Sequence, residues 1–300
     1  MRIGILGNAG SWYVSDLQRA ATSRGHTASR VDFTALTGHI GGSQSVREFN
    51  PEAEPTLAEQ KFDEHTDVLV VRTMPPGSLE QVVFRMDALA MAAARGTIVF
   101  NSPRAVECAV DKYLTTAKLA QAGLAVPRTI VCEDSAAACR AFTELGGDVV
   151  VKPLFGAEGR GIVRVSDPEI AIRTFRTLER IDSVLYVQEF LPHDFDTRVL
   201  VLGGNIIGAM RRTSHNDFRT NVSQSGVASA VDITESQRQL ALAAAEETQA
   251  DFAGVDLIQR PDDTDCVIEV NAVPGWRAFS RITKTDVSVR VIEYLEHRVG

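Results

Sequence analysis

The sequence predicts a chain of α/β and α+β class in three parts, and three observations carry that expectation. From Arg2 to Asn101, buried strands alternate with helix-length stretches, the pattern of a parallel sheet with crossover helices. From Val149 to Val165, two β-branched runs flank Gly156, Gly159 and Gly161, so strand, glycine loop and strand follow one another. From Arg198 to Arg212, two strands meet at Gly203-Gly204, a hairpin turn. The expected parts are an N-terminal βαβ domain over 1–101, a small lid over 102–188 and a C-terminal mixed-sheet domain over 189–300.

In order along the chain, Arg2 to Leu6 is a strand, Tyr13 to Arg24 a helix stopped at Gly25, and Thr27 to Asp32 a strand. Thr34 to Glu54 is polar and weakly periodic, so it reads as a loop or flap of functional length. Val68 to Arg72 and Thr97 to Asn101 are strands around the helix Leu79 to Arg95. In the second part, Arg104 to Val110 is helical, and the next helix has Asp111 as N-cap and Gly123 as stop. Pro127 to Cys132 is a strand and Ser135 to Leu145 a helix. After the glycine loop come the helix Pro168 to Arg180 and the strand Val184 to Gln188. The third part holds the hairpin, a polar loop from His215 to Gly226, the helix Glu235 to Gln249 and the strands Ala253 to Gln259 and Asp265 to Val270. The last helix runs from Asp286 to Arg298.

Composition narrows the function. A net charge of -8 argues against a general binder of nucleic acid or membrane surface, both polyanionic. The four cysteines form no Cys-x-x-Cys pair, which suits reduced thiols in a cytoplasmic protein. No apolar run reaches the length of a membrane span. Gly4, Gly7 and Gly10 lack the spacing of a dinucleotide fingerprint, which disfavours a nicotinamide dehydrogenase. No Ser/His/Asp or Cys/His arrangement suggests an enzyme nucleophile.

Lys152 ends the first strand of the glycine element, so strand, loop and cation together form a cover for a triphosphate, without the Gly-Lys-Ser/Thr of a Walker loop. The alternative is an ordinary hairpin with an exposed lysine. Gln188-Glu189-Phe190-Leu191 is a strand exit that can offer backbone hydrogen bonds and an apolar wall to an adenine. Glu269 and Asn271 share a strand face, and Asp256 joins them if its strand is their antiparallel neighbour. Such hard oxygen donors suit Mg²⁺ held jointly with nucleotide phosphates; the alternative is a polar face of a half-exposed sheet. Arg198, Arg211, Arg212 and Arg219 can stabilise a transferring phosphoryl group, though any one alone is as well explained by a surface ion pair.

The order Lys112, Lys152 with its glycine loop, Gln188-Glu189-Phe190-Leu191, Asp196-Thr197-Arg198, Phe218-Arg219-Thr220-Asn221, Asp256 and Glu269-Val270-Asn271 resembles the ATP-grasp superfamily. Within it the chain resembles the RimK-like carboxylate–amine ligases, from about Asn101 to the C-terminus. The resemblance implies a three-part ATP-grasp fold. It implies Lys112, Lys152 and the loop glycines 156, 159 and 161 on the phosphates, and Gln188, Glu189, Phe190 and Leu191 around adenine and ribose, with Asp196 near the ribose. Arg219 and Asn221 would face the phosphates, Arg211 and Arg219 would serve as catalytic cations, and Asp256, Glu269 and Asn271 would hold two Mg²⁺, with Mn²⁺ as a substitute. The implied reaction phosphorylates an acid with ATP and lets an amine, commonly that of glutamate, displace phosphate from the acyl phosphate. The implied partners are a small-molecule or peptide carboxylate and an amino-acid amine, with room for a homo-oligomer. A non-catalytic nucleotide-binding module is the rival. One departure stands out: Asn271-Ala272-Val273-Pro274-Gly275 continues into Trp276-Arg277, where the family has small residues. Trp276 and Arg277 are therefore expected to line the acceptor pocket and to favour a flat, pterin-type acid over a protein C-terminus or another small acid; the alternative is that Trp276 plugs the junction with the C-terminal helix.

Overall fold

A computed structural model describes residues 1–38, 46–48, 66–156, 160–213 and 227–300. The chain divides into two compact units, one of Met1–Glu107, Ala250–Phe252 and Val273–Gly300, the other of Cys108–Gln249 and Ala253–Ala272.

The first unit begins with β1 (Arg2–Leu6), α1 (Trp12–Ser23), β2 (Thr27–Val31), β3 (Leu36–Gly38), β4 (Val46–Glu48), β5 (Val68–Val71), α2 (Leu79–Ala94), β6 (Ile98–Phe100) and α3 (Pro103–Val110). The expected parallel sheet is there, in the order β2-β1-β5-β6 with every pairing parallel. Its central strands are buried on both faces, as continuous apolar runs such as Val68-Leu69-Val70-Val71 require. The polar stretch expected as a loop contains the short antiparallel pair β3–β4; its residues 39–45 and 49–54 lie outside the described residues.

The second unit holds α4 (Lys112–Gln121), β7 (Thr129–Cys132), α5 (Ser135–Glu144), β8 (Val149–Lys152), β9 (Val163–Val165), α6 (Pro168–Glu179), β10 (Leu185–Glu189), β11 (Phe195–Leu202), β12 (Asn205–Thr213), β13 (Val227–Ala230), α7 (Glu235–Glu247), β14 (Phe252–Gln259, its first residue in the first unit) and β15 (Asp265–Asn271). Asp111 caps α4 as expected, accepting from the Leu114 N–H at 3.0 Å. One sheet is antiparallel throughout, in the order β7-β10-β8-β9. Strand alternation sorts its residues. Val149, Val151, Leu185 and Val187 pack with Ala138, Phe142 and Phe175 of α5 and α6, so Val150, Lys152, Tyr186 and Gln188 project from the opposite face. The other sheet has the order β13-β12-β11-β14-β15, and α7 packs its buried alanines Ala241, Ala244 and Ala245 against it.

The chain then returns to the first unit with α8 (Arg277–Thr283) and α9 (Val287–Val299). Residues 273–300, grouped with the third part in the sequence reading, thus contact the parallel-sheet unit. Trp276 leads this return and is 1% exposed. Its ring lies 4.9 Å from that of Tyr13 and 5.8 Å from that of Phe252, and its Nε1 donates to Asp16 at 3.0 Å. Burial pushes the Asp16 carboxyl up, but bonds from Ser288, Trp276 and Arg19 outweigh this and hold it low. Gly275 has no room for a side chain, since a Cβ there would sit 2.7 Å from the Tyr13 hydroxyl. The expectation that Trp276 stacks on a flat substrate therefore fails: both faces of the ring are covered by protein. Arg277 is exposed, its guanidinium 5.5 Å from the Trp12 ring. Trp276→Ala is expected to lower the unfolding free energy by about 3–5 kcal/mol, the usual effect of emptying a buried aromatic site. Urea denaturation followed by circular dichroism checks this.

Candidate active site

One cleft within the second unit gathers most of the residues singled out in the sequence. Lys112, Lys152, Gly156, Gln188, Glu189, Phe190, Leu191, Asp196, Asp256 and Glu269 line it. Val150, Ile162, Ile258 and Ile268 add apolar wall. That mixture of polar groups and apolar wall suits a small organic ligand.

The two lysines converge on the glycine loop. Lys152 Nζ donates to Gln188 Oε1 at 2.7 Å, and Lys112 Nζ to the Gly156 carbonyl at 3.0 Å. Burial pushes the Lys152 ammonium down from 10.5 to about 8, against the attraction of Glu269 and helped by the charge of Lys112. Burial also lowers Lys112, with Glu269 and Asp111 opposing. Among the described residues neither lysine forms an ion pair, so both present neutral-partnered cations to the cleft. Gly161 has φ 75°, a left-handed conformation that favours glycine, and a Cβ there would lie 3.4 Å from Pro153. Gly159 lies outside the described residues.

Gln188 is 3% exposed, and its amide holds Lys152, Thr129 and the Tyr186 hydroxyl. Its side chain thus positions the lysine, although the sequence reading placed it at the adenine. Glu189 accepts from the Arg128 backbone N–H at 2.8 Å and from Arg128 Nε at 2.7 Å. Arg164 covers the Phe190 ring at 3.6 Å, and the His193 ring bonds the Leu191 carbonyl through Nδ1 at 2.7 Å. His193 also lines the cleft and was missed in the sequence.

The acidic end is built on paired strands. β14 and β15 are antiparallel, with Asp256 opposite Glu269 and Gly254 opposite Asn271, as the same-face argument required. Asp256 is 2% exposed and accepts from Arg198 at 2.7 and 2.6 Å and from Arg212 at 2.8 Å. Burial pushes its carboxyl up, but the two arginines outweigh that and hold it below the usual range. Arg212 in turn chelates Asp196 with two bonds of 2.6 Å. Its guanidinium is held above its ordinary range because Asp256 and Asp196 outweigh its burial.

Arg211, expected to be catalytic, is a correction. It is exposed, does not line the cleft, and lies over the Phe195 ring at 4.0 Å. Its neighbour Arg212 lines the cleft. Arg219 and Asn221 lie outside the described residues.

The donors fit a hard cation shared with phosphate. Glu269 and Asn271 project from one face of β15, and Asn271 Nδ2 is buried without a hydrogen-bond partner, so no donor bond fixes that amide. Asp256 has its oxygens engaged by arginines. Among the described residues no three His, Cys, Asp or Glu side chains gather as an all-protein cage. Such a partial donor set is what Mg²⁺ bound through nucleotide phosphates needs.

Comparison with known proteins agrees with this geometry. Residues 109–295 match the model of the RimK-like ATP-grasp domain. The chain is 33% identical over 260 residues to the tetrahydromethanopterin:alpha-L-glutamate ligase of Methanosarcina acetivorans, covering 77% of this chain and 80% of that protein. It is 29% identical to the ribosomal protein bS6--L-glutamate ligase of Escherichia fergusonii, over 99% of this chain and 96% of that one. The ATP-grasp ligase PsnB, solved with a minimal precursor, Mg and ADP, shares the fold with a TM-score of 0.73 at 21% identity, over 99% and 98% of the two chains. ATP-grasp ligases use ATP with Mg²⁺. The chain belongs to the RimK-like ATP-grasp family and is an ATP-dependent carboxylate–amine ligase.

Proposed function

We propose that this ligase joins the amine of an amino acid, glutamate, to the carboxylate of a small molecule through an acyl phosphate, with the nucleotide in the cleft of the second unit. The observation that carries the assignment of the cleft is the pair Lys112 and Lys152, cations without acidic partners beside the Asp256, Glu269 and Asn271 strands. Lys152, oriented by Gln188, would bind phosphate oxygens, and Lys112 would hold the glycine loop and share that charge. Arg212, locked by Asp196 and Asp256, would face the charge that develops during phosphoryl transfer. Glu269 and Asn271 would hold Mg²⁺, which would supply positive charge to neutralise the phosphates. Val150, Ile258 and Ile268 would contact the base. The finer division of the chain into an amino-terminal domain, a lid and a metal-bearing domain belongs to the same reading.

For the amine, the names of both curated relatives favour glutamate. For the acid, the more identical relative favours a pterin-type carboxylate. With Trp276 buried, no side chain of this chain independently selects a flat acid. The test is phosphate release from ATP with L-glutamate and a panel of pterin-type, aliphatic and peptide acids, followed by product mass. Expected is one acid that, with L-glutamate, gives ADP, phosphate and a product heavier by one glutamyl residue. Turnover with other amino acids and none with L-glutamate would refute the choice of amine.

A pH dependence follows from Lys152. A triphosphate beside the ammonium favours its charged form, so ATP binding raises a pKa that is about 8 in the free protein. Affinity for ATP is expected to be flat below pH 8 and to fall by up to about tenfold per pH unit above it. Lys152→Met should bind more weakly and lose the dependence. Stability runs the other way. The folded chain sheds this proton near pH 8 and the unfolded chain near 10.5, so the burial penalty present below pH 8 is relieved across that interval. Calorimetric titration of ATP from pH 7 to 9.5 checks the binding arm, and a flat wild-type profile would contradict it.

A further inference from the structure

The parallel sheet of the first unit has its own ligand geometry. The chain leaves β1 through α1 to reach β2 on one side, and leaves β5 through α2 to reach β6 on the other. The order therefore reverses between β1 and β5, and in open parallel sheets ligands bind outside the carboxyl ends of the strands at that point.

Arg72 stands there. Its backbone N–H donates to the Leu6 carbonyl at 2.8 Å, which fixes it at the carboxyl end of β5 beside β1. On the other side of the gap, Gly7 lets α1 close in, since a Cβ there would lie 2.5 Å from Val14 Cγ2. The first turn of α1 contains no acidic residue, and its N-cap Ser11 makes no side-chain bond. The N–H groups of that turn therefore keep their partial positive charge.

The Arg72 side chain makes one hydrogen bond, from Nη2 to the Pro274 carbonyl at 2.9 Å. Its Nε is buried and has no partner, and the guanidinium lies 4.3 Å from the Trp276 ring centre and 5.0 Å from that of Tyr13. Burial pushes this arginine down from 12.5 to about 10. Arg85, 6% exposed, also spends its Nη1 on a carbonyl, that of Pro75 at 2.7 Å. Among the described residues neither arginine has an acidic partner. A desolvated guanidinium with an orphaned N–H lacks the anion that would offset its burial.

We propose that Arg72 is the binding residue for a spectator carboxylate of the amino-acid substrate, held at the carboxyl edge of β1 and β5. This rests on the reading of the amine as an amino acid. A spectator carboxylate keeps its full charge from binding to release, and a permanent cation with a two-pronged donor face matches that charge. The carboxylate that is phosphorylated loses its charge at that position, so it is the poorer match.

The chain carries its own reporter: its two tryptophans are Trp12 and Trp276, both in the first unit, and Trp276 lies under Arg72. The experiment titrates the wild-type protein with L-glutamate, with glutarate and with uncharged glutaramide, following tryptophan emission with and without ADP and Mg²⁺. Expected is a saturable change with the two carboxylates and none with glutaramide. Arg72→Lys, which keeps the charge and loses the fork, should weaken L-glutamate by roughly tenfold in the titration and raise its KM by a similar factor, with the KM for ATP unchanged. No emission response in the wild type while L-glutamate is turned over would overturn the site and leave the glutamate reading standing. A response to glutarate without turnover of L-glutamate would keep the site and remove that reading. A folded Arg72→Lys protein with wild-type affinity and KM for L-glutamate would also overturn the site.

Discussion

Arg212→Met is expected to destabilise the protein by about 3–5 kcal/mol and to lower kcat by about 10²–10³-fold, whereas Arg211→Met is expected to cost no more than about 1 kcal/mol and to leave kcat unchanged. The two arginines are neighbours in sequence and opposite in environment. Arg212 is 3% exposed and bridges Asp196 and Asp256, each 2% exposed. Removing it leaves Asp196 without its bidentate partner and Asp256 with Arg198 alone, and an uncompensated buried charge is among the most costly defects a fold can carry. On the proposed reading it would also remove a well-anchored cation from beside the phosphates. Arg211 is solvated and rests on Phe195, and its loss removes one surface cation–π contact worth about 0.5–1 kcal/mol at such a site. Urea denaturation and initial rates on both variants check the pair. Equal effects at the two positions would mean that the register of β11 and β12 is wrong.

Glu269→Gln is expected to lower kcat by about 10³-fold or more while the fold survives, because it keeps the shape of the side chain and removes the charge that, on the proposed reading, Glu269 would offer to Mg²⁺. Its effect reaches the lysines as well. The Glu269 charge holds up the pKa values of Lys112 and Lys152, so the amide drives both lower and weakens nucleotide binding at pH 8 and above. The readouts are single-turnover phosphate release and calorimetry of ATP with and without Mg²⁺. Wild-type turnover in this variant, or an unchanged gain in ATP affinity on adding Mg²⁺, would remove Glu269 from the metal site.

Much of the site was legible because strand geometry is periodic. The Val149 to Lys152 alternation sends Lys152 away from the core, and the spacing of Glu269 and Asn271 puts them on one face; both follow from period two. The resemblance implied Arg211 as a catalytic cation, and the register of the hairpin explains why Arg212 faces the cleft instead. Counting outward from Gly203-Gly204 with no irregularity places Asp196 opposite Arg211. The β11–β12 pair shifts register between Leu200 and Val201, and the shift brings Arg212 opposite Asp196 instead. A one-residue slip exchanges the two faces of a strand, so it exchanged the cleft arginine with its exposed neighbour. A second shift, between Asp256 and Leu257, brings Glu269 rather than Ile268 opposite Asp256. Gly208 stands at the first shift, opposite Leu200, whereas the second has no glycine or proline to announce it. Trp276 was misread because a bulky aromatic after the metal strand looks like a pocket wall. Its burial depends on Tyr13, Asp16 and Arg72, more than two hundred residues away, which no local pattern reports.

The reaction itself is tested most directly by the fate of the acid's oxygen. The acid that supports turnover would be labelled with heavy oxygen in its carboxylate and incubated with ATP, Mg²⁺, L-glutamate and the protein, and the inorganic phosphate would be analysed by mass. If an acyl phosphate forms and the amine displaces phosphate, one labelled oxygen passes from the acid to each phosphate released and ADP is the nucleotide product. Unlabelled phosphate, or AMP with pyrophosphate, would contradict ligation through an acyl phosphate.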